Sequence, residues 1–397
     1  MAFFKKIPIV ATDFSWHDIL SMLRPKYARQ RLTGELSQHL NSKYIFSLNS
    51  GTSAFYLILK VLSYVEPDRK EVILPAYTAA SLILPIKKLG LKAVLCDISL
   101  ETFDLDITKL SNLLCDKTLC VLAIHTFGLV SNVEEIKNVV KGRREGIFVI
   151  EDCAQAFGTV INNKLVGCQG DISLYSFNRG KNISTAGGGI ISTNSEILAN
   201  ILKEEVNSLN EPSLFKKINI ILELIVLSFV VRPSIYNCLY PLLKAFRSAR
   251  PPIDFSVFGY TDFQAAIFLS LLKKLECFNY KRYVNGSFFY GFLKKREEIV
   301  LPKIFNSSKP AYNRFPILFK DNKLKERIKK ELLKQGIDSS EMYERPLHLI
   351  FDLGYEEGDF PNAEYFASHL LTLPTHPLVD EYTLNTFKKI FERVLMQ

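Results

Sequence analysis

A chain of 397 residues, 48% of them hydrophobic, can bury a large core and has the length of two or three domains, which excludes general disorder. Its net charge of +9 is spread along the sequence, so it suits an anionic substrate, an anionic cofactor or an acidic membrane surface and gives nucleic-acid binding no support. Seven scattered cysteines, with no C-x-x-C pair and no histidines at ligand spacing, read as reduced thiols in the cytoplasm, against a disulfide framework or a zinc site.

The N-terminus, MAFFKKIPIVATDFSW, lacks the apolar stretch of a signal peptide, so no export is expected. From about residue 44 to 195, short apolar runs alternate with longer helical patterns. YIFSLNS leads into the helix candidate TSAFYLILKVLSYV, and EVILP into a helix across 79–90; KAVLCDI, LCVLAIH and IFVIED follow. Runs such as VLAI and FVIE are apolar on both faces, as strands of a parallel sheet covered by helices must be. The pattern predicts a doubly wound α/β domain.

Ser50-Gly51-Thr52-Ser53 stands where the first strand turns into a helix. Gly51 would let the backbone approach an anion, and Thr52 and Ser53 would add hydroxyls to the N–H groups and dipole of the helix start. A plain helix cap reads the same four residues equally well. At the end of IFVIED, Glu151 and Asp152 fall where open α/β sheets bind ligands. One of them is expected to face a cation, such as a protonated pyridinium nitrogen, and Gln155, a turn later, would reach another ring substituent. Capping of the next element is the plainer alternative. In DISLYSFNRGKNISTAGGGII, Lys181 follows a strand and precedes a glycine triplet and another strand. From such a loop its amine can reach the ligand crevice, bond an aldehyde and shuttle protons. Ser176, five residues earlier, could add a hydroxyl to a phosphate.

The segment 205–253 breaks the alternation: KKINIILELIVLSFVVRPSIYNCLYPLLKAFRSAR is strongly apolar and edged by cations. Its longest apolar run, 218–231, is too short to span a bilayer. A hairpin packed on its own protein or on a dimer mate is one reading; a membrane-surface element over 214–250, with Lys216, Lys217, Arg232, Lys244, Arg247 and Arg250 at the headgroups, is the other. From 254 on, helix candidates such as the run 262–295 and LKERIKKELLKQGI, closed by Gly336, alternate with short strands and predict a smaller α+β domain. The expected domains are 1–204, 205–253 and 254–397.

Together these residues resemble the DegT/StrS family of sugar aminotransferases over most of the chain. NSGTSA is similar to the family's phosphate loop, VIEDCAQAFG to its pyridinium-binding strand and SFNRGKN to its S-F-x-x-x-K-N lysine motif. EVILPAYTAA, YTDFQAA, ERPLH at 344–348 and LPTHP at 373–377 look like further landmarks. The resemblance implies a type I PLP-transferase fold and pyridoxal 5'-phosphate (PLP) as cofactor. It makes Lys181 the Schiff-base lysine, Asp152 the partner of the ring nitrogen and Gln155 the contact to the ring hydroxyl, with Gly51, Thr52, Ser53 and Ser176 around the phosphate. It further implies a homodimer that moves an amino group from glutamate or glutamine to a nucleotide-linked keto-sugar for surface polysaccharide or glycoconjugate synthesis. Three rivals stay open: a sugar dehydratase, which in the family carries His in place of the lysine; a membrane-surface enzyme with a lipid-linked substrate; and a non-catalytic regulator.

Several positions depart from the family pattern. Ala79 stands where an aromatic residue covers the cofactor ring, leaving Tyr77 or His125 to do so. SVFGYTD lacks the Asn that reaches a partner's phosphate. Gly187 replaces a glutamate, and Met342 a histidine.

Overall fold

The computed structural model describes residues 5–245 and 253–396; Arg247 and Arg250 of the insertion lie outside them. Seven strands make the main sheet: β1 (Tyr44–Leu48), β2 (Glu71–Pro75), β3 (Lys92–Cys96), β4 (Thr118–Ile124), β5 (Phe148–Asp152), β6 (Ile172–Ser176) and β7 (Gly189–Thr193). Their order is β1-β7-β6-β5-β4-β2-β3. β7 runs antiparallel to both neighbours, while β6, β5, β4, β2 and β3 are mutually parallel.

Every residue of β4 is buried, because helices cover both faces of the sheet. Leu122, Ile124 and Ile150 pack in the cluster that holds the helix Gly51–Val65, and Val121, Ala123 and Val149 in the cluster that holds the helix Val133–Arg143. Each fully buried Leu, Ile or Phe of these clusters stabilises the fold by about 1.5–3 kcal/mol.

One glycine sets the geometry at the business end of the sheet. Gly189 pairs with Leu48 on one side and Ser176 on the other. A Cβ there would lie 2.1 Å from the Ser50 carbonyl oxygen, so only glycine lets the chain leaving β1 close in on the end of β6.

The C-terminal part carries an antiparallel sheet of β8 (Ile299–Val300), β9 (Phe315–Phe319) and β10 (Leu370–Leu373), in that order, packed with the helices Asn322–Lys334, Pro361–His369 and Glu381–Leu395. Its core is continuous with that of the main sheet: Phe289, Phe315 and Phe391 belong to the same cluster as Leu57 and Ile150. Gly336 ends its helix at φ +73°, as its place in the sequence predicts. The expected single helix over 262–295 is instead two, Asp262–Leu272 and Leu275–Leu293. At the break, Lys274 reaches the buried carboxylate of Asp18 at 2.6 Å, a long-range ion pair that no local signal marks.

The apolar segment forms a helical hairpin, Leu214–Val230 and Pro233–Ala245, and no helix of the described residues is long and apolar enough to cross a membrane. The hairpin is docked on its own protein. Leu224 and Ser228 are buried, the Tyr236 hydroxyl donates to Asp338 at 2.9 Å, and Glu223 pairs with Arg179 at 2.8 Å.

Candidate active site

The ends of β1, β5 and β6 bring the expected residues to one edge of the sheet. Ser50 caps the helix Gly51–Val65, its Oγ accepting from the Ser53 amide at 3.1 Å. A Cβ on Gly51 would fall 2.8 Å from Ser176 Cβ and 3.0 Å from its Oγ. The first residue of the helix and the hydroxyl at the end of β6 thus form a tight cradle, the shape that amide and hydroxyl donors take around a phosphate. Thr52, half-buried, stands beside it. The Ser53 hydroxyl binds Ser50 Oγ at 2.8 Å and the Ser256 carbonyl at 3.1 Å, partners that belong to the helix cap. Gly51→Ala is therefore expected to displace Ser176 and weaken phosphate-bearing cofactor binding at least tenfold, with the thermal midpoint of the cofactor-free protein little changed; a cofactor titration against unfolding checks it.

The two carboxylates that end β5 point to opposite faces and have opposite surroundings. Glu151 is sealed in by the amides of Gly167, Gln169 and Gly170 at 2.5–2.8 Å and by His125 Nε2 at 3.1 Å. Burial works to raise its carboxyl, but His125 and these amides hold it below the usual range. His125 Nδ1 in turn accepts from the Ser131 amide at 3.0 Å, so both ring nitrogens serve this side of the sheet. His125, Glu151 and Cys153 are close enough to share an ion, yet the hydrogen bonds to Glu151 already account for its charge. Asp152 is buried and, among the described residues, has a single amide on its carboxylate, Ala154 at 2.9 Å. Burial pushes its carboxyl up, and the cation of Lys181 opposes that.

Lys181 rides on a loop anchored from three sides. Asn182 Nδ2 reaches the carbonyls of Phe157 and Ala311 and Asn279 Oδ1 at 3.3–3.5 Å, and Asn313 Nδ2 donates to the Gly180 carbonyl at 2.8 Å and to Asn182 Oδ1 at 3.2 Å. Burial draws the Lys181 amine below its usual range; Asp152 favours its charge and Arg314 disfavours it. Lys181 and Asp152 are each other's principal opposite charge, a pair whose perturbed protonation marks a functional site.

Gln155 links this site to the C-terminal part. Its Oε1 accepts from the Phe127 amide at 3.1 Å and its Nε2 donates to the Tyr343 hydroxyl at 3.3 Å. Phe127, Ala186 and Met342, all at the site's edge, hold φ near +60° without being glycine, strain of about 1–3 kcal/mol each of the kind that concentrates at active sites. Tyr77 does not lie free to cover a ring: its hydroxyl donates to the Glu341 carbonyl and accepts from the Tyr343 amide, both at 3.2 Å, and its ring packs on Phe366. Sequence reasoning missed Tyr343, Asn313 and Arg314 as site residues. Asn182 was visible in the lysine motif, though not its anchoring role.

These residues fit PLP: the cradle that a Cβ would fill suits its phosphate, and the buried Asp152 suits a cationic ring nitrogen. Residues 23–214 and 256–394 match the DegT/DnrJ/EryC1/StrS aminotransferase family. The GDP-perosamine synthase of Escherichia coli O157:H7 is 33% identical over 169 residues, 43% of this chain and 45% of that one. The dTDP-3-amino-3,6-dideoxy-alpha-D-galactopyranose transaminase of Aneurinibacillus thermoaerophilus is 26% identical over 347 residues, 87% and 84% of the two chains. A solved structure described as a sugar aminotransferase from Streptococcus pneumoniae, in its PMP form, superposes with a TM-score of 0.78 at 21% identity, covering 98% of this chain and all of that one. With a match over most of its length and this fold beneath it, the chain belongs to the DegT/DnrJ/EryC1/StrS aminotransferase family and is a PLP-dependent aminotransferase.

Proposed function

We propose that the enzyme moves an amino group from glutamate or glutamine to a keto-sugar carried on a nucleotide, for a surface polysaccharide or glycoconjugate. The observation that carries this reading is the electrostatic pairing of Lys181 with Asp152 at the same sheet edge as the Gly51–Ser176 cradle. The two relatives named for amino-sugar products support the acceptor class, and the lysine at 181 favours amino transfer over dehydration.

When bound, the cofactor supplies an aldehyde carbon and a protonated ring that withdraws electrons. Gly51, Thr52 and Ser176 would hold its phosphate, Asp152 would keep its ring nitrogen protonated, and Gln155, steadied by Phe127 and Tyr343, would orient the ring hydroxyl. Lys181 Nζ would take a proton from the amino donor's α-carbon and return one on the acceptor side. Burial lowers its pKa, which favours the neutral amine that a base needs.

The reading includes a homodimer in the cytoplasm. Free thiols at all seven cysteines suit a reducing compartment. Ile253, 95% exposed three residues before Ser256, whose carbonyl accepts from the Ser53 hydroxyl, suits a partner subunit at that edge. The test is oxo-acid release from glutamate or glutamine by the PLP-loaded enzyme with nucleotide-linked keto-sugars of varied base and keto position. Loaded enzyme that releases none with any of them overturns the reading.

A further inference from the structure

We propose that the outer face of the hairpin's first helix, together with the first helix of the chain, docks on an anionic lipid surface. This goes beyond the enzymatic reading and does not rest on it.

The helix Leu214–Val230 is largely apolar, its charged and amide side chains being Lys216, Lys217, Asn219 and Glu223. Leu224 and Ser228 face the protein and are buried; the opposite stripe, spaced by three and four residues, is Phe215, Ile218, Leu222 and Val226, at 74%, 46%, 54% and 56% exposure. A helix that meets water normally turns a polar face outward. This one does not. The patch continues onto the helix Trp16–Ser21: Trp16 meets Phe229 edge to face at 5.3 Å, and Leu20 and Leu23 are exposed at 56% and 77%.

The occupant follows from the charges around this patch. The Arg232 guanidinium lies over the rings of Trp16 and Phe229, at 5.6 and 5.7 Å, and Arg24 and Lys26 are exposed just past Leu23. The carboxylates of the helix and its lead-in are already paired, Glu223 with Arg179 and Glu211 with Arg29 and Lys217. The patch is therefore an apolar centre with a tryptophan at its edge and a cationic rim, which matches acyl chains beneath anionic headgroups. A helix of 17 residues bound to its own protein along one side lies in the plane of such a surface; it does not enter the bilayer end-on.

The experiment is flotation of the full-length protein with phosphatidylcholine vesicles, with and without phosphatidylserine, over a salt series. Binding is expected to the anionic vesicles, weakening as salt rises. The double variant Phe215→Glu/Leu222→Glu changes only exposed side chains and is expected to lower vesicle affinity about a hundredfold or more. Its thermal midpoint and its cofactor binding should stay those of the parent. Absence of co-flotation with anionic vesicles at low salt overturns the proposal, as does equal binding by the double variant. Loss of self-association in the double variant, without vesicle binding by the parent, assigns the face to a second copy of the chain and likewise overturns it.

Discussion

Lys181→Ala is expected to abolish covalent capture of PLP and to lower turnover by more than about 10⁴-fold, since in the proposed role one amine would both bond the cofactor and carry the proton. Folding should survive the change. The Lys181 charge is opposed by burial and by Arg314 and favoured by Asp152; with the lysine gone, Asp152 can take up the proton toward which burial already pushes it, and the loop keeps its anchors at Asn182 and Asn313. The measurements are borohydride fixation of the cofactor, visible absorbance and thermal unfolding. A borohydride-stable cofactor adduct on purified Lys181→Ala would mean that another lysine does the work.

Asp152→Asn should lower turnover by orders of magnitude while weakening cofactor affinity far less. The carboxylate is the group that favours a protonated ring nitrogen, and a neutral amide of the same shape keeps the contact but not the charge. The change has a second, separable effect. Asp152 stabilises the cationic form of Lys181, so its neutralisation lets the lysine pKa fall further. The amine then becomes available at lower pH, and the pH at which covalent cofactor capture is half-maximal should move down. Capture rates across a pH series, beside single-turnover rates, separate the two effects; equal turnover in parent and variant would remove Asp152 from the site.

The sequence shows the site only where its chemistry is contiguous. Asp152 and Ser176 end strands, and Gly51 and Lys181 follow strand ends within a few residues; a strand end with its turn or loop is a local pattern. Tyr343, Asn313 and Arg314 come from the C-terminal part, and their approach depends on a core shared between the two sheets, which no window of residues reveals. Ser53 reads two ways because a hydroxyl at a helix start serves an anion or the backbone equally well, and its bond to the Ser256 carbonyl comes from a residue far along the chain that no local pattern marks. In the insertion, apolar residues spread over most of the helix surface hid which face packs inward, and the burial of Leu224 and Ser228 orients it.

The anchoring of the lysine loop has a consequence for how the molecule comes apart. Asn182 and Asn313 tie the cofactor loop to the chain that enters β9, and that chain packs in the core it shares with the main sheet. The C-terminal part cannot open without loosening the loop, so a bound cofactor adds its binding free energy to the opening of both halves. Amide hydrogens in β9 and β10 would then exchange more slowly once the cofactor is seated, although neither strand touches the phosphate cradle.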